Sequence, residues 1–198
     1  MEEIDSTLIE EFVSEIVEYL ETEDILVESE SKTKGRLALF LVRFLPEKKL
    51  DEILKSAREK ALRIAKTEKD KSRIKKKFSL EKSKKEKREL IREIIKANKS
   101  TNLEKADKVV ASKIKDAAAK KNKTSLKEEL SAQAKGRWIK AGIYTAGGIL
   151  GAAAGAGGGI LLGSSIAGGI VLLAVSVIMP LVSAGIAKYT VEMLNLEE

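Results

Sequence analysis

Residues 147–187 read GGILGAAAGAGGGILLGSSIAGGIVLLAVSVIMPLVSAGIA, and this stretch decides which folds are open to the chain. Five of its glycines recur at a strict spacing of four residues: Gly147, Gly151, Gly155, Gly159 and Gly163. Glycine is about 1 kcal/mol less favourable than alanine inside a helix, so this row disfavours a helix that stands alone in water. A second helix packed closely against the glycine row would offset that cost.

The glycine row lies in a run of 47 uncharged residues between Lys140 and Lys188, which holds twelve of the chain's 14 glycines. Two helices of about 20 residues joined by a turn need nearly that length to cross a bilayer twice. The GSS sequence at 163–165 is typical of such a turn, with GAGGG at 155–159 as the alternative. We therefore predict an apolar glycine-zipper hairpin over 141–187, with arms of 142–163 and 166–187.

The residues that flank the hairpin are of the types found where helices leave a membrane. Basic and aromatic side chains lie just outside the apolar run: Lys135, Arg137, Trp138, Lys140, Lys188 and Tyr189. Lysine and arginine are enriched on the cytoplasmic side of membranes, and tryptophan and tyrosine are enriched at the interface. We predict that these residues form the membrane interface, with both hairpin ends cytoplasmic and a short polar tail over 188–198.

The charged residues before the hairpin fall into two blocks of opposite sign. Residues 1–31 carry 12 acidic side chains and no basic one, whereas residues 32–140 carry 36 lysines and arginines against 15 acidic residues. Apolar residues recur at helical spacing in both blocks, and no strand alternation of any length occurs. The predicted fold is all-α, with an acidic amphipathic helix and a cationic helical body before the C-terminal hairpin.

The two blocks are expected to meet, because self-repulsion within each block disfavours a compact state in which neither is paired. We predict that the acidic helix docks on the basic region of the same chain or of another subunit.

The most basic part of the chain, residues 67–93, is open to three interpretations. It forms a solvated cationic face, it binds anionic lipid headgroups, or it contacts nucleic acid without sequence specificity. Phe78 is its only aromatic residue, so it lacks the stacking platforms typical of proteins that bind single-stranded nucleic acid.

Cysteine and histidine are both absent from the chain. Their absence excludes disulfides and thiolate chemistry, together with the commonest general base and the commonest transition-metal ligand. No carboxylate pair or Ser-Lys arrangement stands in a recognisable catalytic context. We expect a protein that is not an enzyme and has no catalytic residue, no metal site and no cofactor.

The sequence GGILGAAAGAGGGILLGSSIAGG at 147–169 resembles the glycine-zipper hairpins of small membrane-associated proteins. Its position after charged amphipathic helices is similar to that of the hairpin in pore-forming colicin domains, which are all-α. Phage holins and phage ejection proteins offer a comparable resemblance. The resemblance implies insertion into a lipid bilayer and association of several copies of the chain.

Two functions follow from these observations and remain open at this point. The first is a non-enzymatic, membrane-associated protein that oligomerises through its glycine face to perforate or traverse a bilayer. The second is a structural component of a larger assembly, such as an internal or tail-lumen protein of a phage virion. In the second case the hairpin is buried in protein and the basic helices lie near DNA.

Overall fold

The computed structural model describes residues 6–23, 34–122 and 166–195. Every regular element in these ranges is helical and none of them is a strand, which confirms the predicted all-α class. The elements are α1 (Ser6–Glu23), α2 (Arg36–Leu41), a 3-10 turn (Val42–Phe44), α3 (Glu47–Ile64), α4 (Glu68–Lys77), α5 (Lys84–Lys96), α6 (Ser100–Asn122) and α7 (Ile166–Leu194).

Helix α7 packs one face into a bundle formed by the other helices. It packs most extensively against α3 and α5, and it also contacts α2, the 3-10 turn and α6. The outer helices α1 and α4 pack against α2 and α3, respectively. Because α7 is apolar on every side up to Ala187, it suits burial against several helices at once.

Local sequence determines where the helices around α7 begin. Pro46 ends the 3-10 segment and precedes α3, because proline has no backbone N–H and cannot continue the helix before it. Thr67 and Asp70 form a reciprocal capping box at the start of α4. Ser83 and Glu86 form the same arrangement at the start of α5, where the backbone N–H of Ser83 donates to Glu86 at 2.8 Å. These caps satisfy N–H groups that a helix start leaves unpaired.

Helix α1 joins the bundle through an aromatic cluster. Phe12 and Ile16 are fully buried, and the Phe12 ring centre lies 5.5 Å from that of Phe40 and 5.3 Å from that of Phe44. Aromatic pairs at these separations add about 0.5–1.5 kcal/mol to the effect of area burial. Apolar packing therefore holds the described part of the acidic block on α2 and the 3-10 turn.

Ion pairs surround this aromatic contact. The Arg36 guanidinium donates to both carboxylate oxygens of Glu18, at 2.8 and 2.9 Å, and also pairs with Glu15, while Arg43 pairs with Glu11. The hydrogen bond from Arg36 holds the pKa of the Glu18 carboxyl below its usual value. Because these side chains are partly exposed to solvent, each pair contributes about 0–1 kcal/mol and is weakened by salt.

A buried carboxylate on α6 caps the start of α2. The Asp107 side chain is fully buried and accepts hydrogen bonds from the backbone N–H of Gly35 at 2.7 Å and of Ala38 at 3.0 Å. Gly35 has φ +84°, a left-handed conformation that disfavours other residues. Burial raises the pKa of Asp107 to about 6, although these hydrogen bonds act in the opposite direction.

The raised pKa of Asp107 predicts a pH-dependent stability. Because this pKa is higher in the folded than in the unfolded chain, the folded state binds more protons between about pH 4 and pH 6. As the pH falls from 7 to 5, we expect protonation of Asp107 to raise the free energy of unfolding by about 1 kcal/mol. Asp107→Asn removes this term, so urea titrations of both proteins at the two pH values test it. Equal pH dependence in the two proteins contradicts the prediction.

Candidate functional site

Helix α7 is the part of the described chain that has the length and composition to cross a bilayer. The segment Ile170–Leu194 has 25 residues, and its most apolar 18-residue window has a mean hydropathy of 2.5 and is half buried in the bundle. The core helix of a water-soluble protein can have the same length and the same hydropathy. The packing of each face of α7 therefore matters more than its hydropathy.

One face of α7 forms the core of the bundle. Its fully buried or nearly buried side chains recur at helical spacing: Ile170, Leu173, Ala174, Val177, Ile178, Leu181, Val182, Ile186, Thr190 and Leu194. The Thr190 hydroxyl is satisfied within the helix because it donates to the carbonyl oxygen of Ile186 at 2.7 Å. This face is a protein-packing surface in the described structure.

The closest approach of α7 to another helix occurs at Gly185. A Cβ atom at this position would meet the backbone carbonyl oxygen of Ile94 and lie 2.7 Å from the side-chain nitrogen of Asn98. The buried Asn98 amide donates to the carbonyl oxygens of Ile95 and Leu181, each at 2.9 Å. The absence of a side chain at Gly185 thus allows the backbones of α5 and α7 to come together, and Asn98 links them.

Three further polar contacts fix α7 in the bundle. The Tyr189 hydroxyl donates to Glu93 at 2.7 Å, the ammonium of Lys113 lies 3.3 Å from the Ser176 hydroxyl, and Lys60 contacts Ser183. Partial burial acts to raise the pKa of the Glu93 carboxyl, but its hydrogen bonds with Tyr189 and Lys77 bring this pKa below the usual value. Contacts from α3, α5 and α6 therefore hold α7 along most of its described length.

The opposite face of α7 points away from the bundle. Leu172 and Met179 are each 39% exposed, although they are large apolar residues. Small residues between and beyond them are also exposed: Ser176, Pro180, Ser183, Ala184 and Ala187. A helix with one buried face and one apolar outward face remains suited to a second layer of protein or to lipid.

Two grooves border this outward face. The groove between α6 and α7 has a volume of about 320 Å³ and is lined in part by Val109, Pro180 and Ala184. The groove between α3 and α7 has a volume of about 250 Å³ and is lined in part by Met179 and Ser183. Val109 is 46% exposed, so the apolar surface extends from α7 onto α6.

Lysine side chains stand at the edges of the two grooves. Lys60 lines the groove beside α3 and Lys105 lines the groove beside α6, and no acidic residue is among the described residues that line either groove. The long stems of such lysines cover apolar surface while their charged groups remain in water. The outward face is thus an apolar surface with a cationic border.

The structure describes two of the residues predicted to lie at a membrane interface. Lys188 is exposed and pairs with Glu192 at 3.6 Å, whereas Tyr189 is half-buried and packs edge-on against Phe78. The helix continues beyond the predicted arm 166–187 to Leu194. The remaining predicted residues lie outside the described ranges: Lys135, Arg137, Trp138, Lys140, Gly147, Gly151, Gly155, Gly159 and Gly163.

The basic stretch 67–93 comprises α4, the connection to α5 and the first ten residues of α5. Exposed cations are concentrated on α4 as Lys69, Arg73, Lys75 and Lys76. Others are paired, since Lys77 contacts Glu93 at 3.1 Å. In the ranges that the structure describes, no group of three or more acidic residues is arranged to hold a metal ion.

Comparison with protein-family models, curated proteins and solved structures finds no match to this chain.

Sequence reasoning did not single out Gly185 or Asn98, the two residues that determine how α5 and α7 meet. Gly185 stands apart from the regular glycine row and is the one glycine within the strongly apolar part of the second arm, from 170 to 187. That isolation is a signal of close backbone approach. No comparable signal exists for Asn98, because its partner Leu181 lies 83 residues away along the chain.

Proposed function

We propose that this chain is a non-enzymatic membrane-inserting protein that oligomerises through its glycine-zipper hairpin to perforate or traverse a bilayer. The observation that carries the proposal is the outward face of α7, which is apolar over a bilayer-length helix and has no covering helix among the described residues. The uncharged arm 142–163 precedes this helix and supplies the glycine row through which membrane helices approach closely.

The cationic border of the outward face supports a membrane with anionic lipids as the target. Lysine stems beside an apolar surface place their ammonium groups at the height of the headgroups when the surface meets a bilayer. Lys60 and Lys105 stand on either side of α7, and the exposed cations of α4 add to the positive field. Binding is therefore expected to weaken as the salt concentration rises.

Vesicle leakage tests the proposal directly. We expect the full chain to release dye from vesicles that contain anionic lipid, and Gly151→Leu/Gly155→Leu to slow release about tenfold, because the larger side chains prevent close helix contact. The matched control is Ala153→Leu/Gly157→Leu, which adds similar bulk about half a turn away and is expected to leave the rate within about twofold.

Three results would contradict parts of this proposal. If the unmodified chain causes no leakage, the proposed membrane perforation is wrong. If both double variants lose leakage equally, the glycine row is not the specific helix contact. The proposal of membrane insertion is not contradicted by that result. An unchanged oligomer size in detergent for Gly151→Leu/Gly155→Leu also argues against the glycine row.

A second candidate function is a structural component of a larger assembly. The polar contacts that hold α7 in the bundle favour it, because Asn98, Glu93 and Lys113 each bind α7 without any need for lipid. Flotation with anionic vesicles separates the two functions. A chain that remains at the bottom of the gradient, but sediments with large particles, favours the assembly component.

A further inference from the structure

The outward face of α7 is bordered on both sides and open along its length. Leu172 and Met179 of α7 and Val109 of α6 are large apolar residues with 39%, 39% and 46% exposure. Grooves of about 320 and 250 Å³ run on the two sides of α7. The exposed face of α7 is thus a ridge with a groove on each side. A further helix could pack on this ridge and place one row of its side chains in each groove.

The chain that leaves α6 returns at the same end of α7. The contact between Lys113 and Ser176 lies nine residues before the end of α6 and ten residues after the start of α7. Asn98, just before α6, donates to Leu181, so contacts earlier along α6 lie later along α7 and the two helices run antiparallel. Each helix extends about 14–15 Å from the Lys113–Ser176 contact to this end. The residues 123–165 that join them must leave this end of the bundle and come back to it.

The length of this connection matches an excursion along α7. As a helix, the arm 142–163 would be about 33 Å long, which is the length of the α7 segment 166–187. The preceding residues 123–141 would span about 28 Å as a helix and about 60 Å when extended, so a partly extended connection reaches the far end of this segment. A turn at Gly163-Ser164-Ser165 then places the arm antiparallel to α7.

The chemistry of the arm matches that of the face. Residues 142–163 carry no charge, and their glycines at spacing four offer a flat row. On α7 the exposed Ser176, Pro180 and Ala184 also recur at spacing four. Two such rows allow helix backbones to approach closely.

We propose that residues 142–163 lie antiparallel to α7 along its outward face, with the glycine row against Ser176, Pro180 and Ala184. This arrangement shields Leu172, Met179 and Val109 from water and gives the marginally apolar arm a protein partner. The docking itself does not depend on a membrane. Its role, which is to hold the two arms of the hairpin together before they insert into a bilayer, rests on the proposed function.

The absence of native cysteine allows the docking to be tested by a disulfide without background. Ile143 continues the glycine row by one step, and antiparallel pairing about the turn at 163–165 brings it beside the exposed Ala187. In the full chain at low concentration, Ile143→Cys/Ala187→Cys is expected to form an intramolecular disulfide. The control pair Ile143→Cys/Ser72→Cys, which uses an exposed position on α4, is expected to remain reduced.

A single-cysteine measurement keeps the test informative if the disulfide pair folds poorly. In Ala187→Cys, maleimide labelling is expected to be about tenfold slower than in Ser72→Cys, because the arm must open before the reagent enters. Equal labelling rates together with an unformed disulfide show an open face and overturn the docking. Disulfide-linked dimers in place of the monomeric product assign the face to a second copy and overturn it as well.

Dye release then separates the docking from the proposed function. The oxidised Ile143→Cys/Ala187→Cys chain is expected to release no dye until it is reduced. Formation of the disulfide with leakage that persists contradicts the storage role but leaves the docking. A disulfide that forms in a chain that never releases dye contradicts the proposed function and again leaves the docking.

Discussion

Gly185→Ala is expected to lower the free energy of unfolding by about 3 kcal/mol, even though alanine is the better helix former. The added Cβ would meet the carbonyl oxygen of Ile94, a backbone atom that moves only if α5 moves. It would also approach the Asn98 amide, whose hydrogen bond to Leu181 links the two helices. Urea unfolding followed by circular dichroism measures the change.

The matched control for this substitution is the reverse change at an exposed position of the same helix. Ala187→Gly removes a methyl group that is exposed among the described helices, and it is expected to destabilise the chain by about 1 kcal/mol, mainly through helix propensity, because a small residue remains on the surface that receives the arm 142–163. If Gly185→Ala instead stabilises the chain by about 1 kcal/mol, α5 and α7 do not approach each other closely at this position.

Phe78→Ala is expected to have the largest effect on stability, about 4 kcal/mol. Phe78 ends α4, is fully buried and lies with its ring centre 6.3 Å from that of Tyr189 in an edge-on arrangement. Its removal leaves a cavity between α4 and the C-terminal part of α7, and it also removes the ring that supports Tyr189. We expect urea unfolding followed by circular dichroism to show this loss in unfolding free energy.

Leu80→Ala provides the comparison for Phe78→Ala, because Leu80 is two residues away and 38% exposed. Its loss is expected to be below about 1 kcal/mol, since partly exposed apolar groups contribute less. Similar losses for the two substitutions would show that Phe78 does not pack as described.

Those features of the fold that arise from local patterns were predictable from the sequence. The stripe of Leu90, Ile91, Ile94 and Ile95 predicts the buried face of α5, and all four residues are buried. The apolar run predicts a helix over 166–187, and α7 covers this whole range without a break. Helical spacing of apolar residues is set by neighbours in the chain, so it is visible without the tertiary structure.

Features that depend on distant residues were not predictable in this way. Lys87 belongs to the basic stretch and would be expected in solvent, yet only 3% of its side chain is exposed. It pairs with Glu47 at 2.9 Å and with Asp51 at 2.8 Å, both on α3. Which charges become buried depends on which helices meet, and helical periodicity contains no information about that choice.

The packed position of α7 could not be distinguished from a membrane position for a similar reason. A helix that is apolar on every side satisfies either environment, because both lack water. The contacts of Gly185 and Asn98 decide that one face of α7 is packed against protein in the described structure.

The order of the helices along the chain has a consequence for biosynthesis. Each of α2, α3, α5 and α6 precedes α7, so the ribosome produces these helices before the one against which they all pack. Asn122 ends α6 and Ile166 begins α7, and translation of the intervening residues takes on the order of 2–9 s at typical rates. During that interval the nascent chain presents the apolar sides of four helices without their common partner. We therefore expect folding to await the emergence of α7, and a holding chaperone to bind the nascent chain until then.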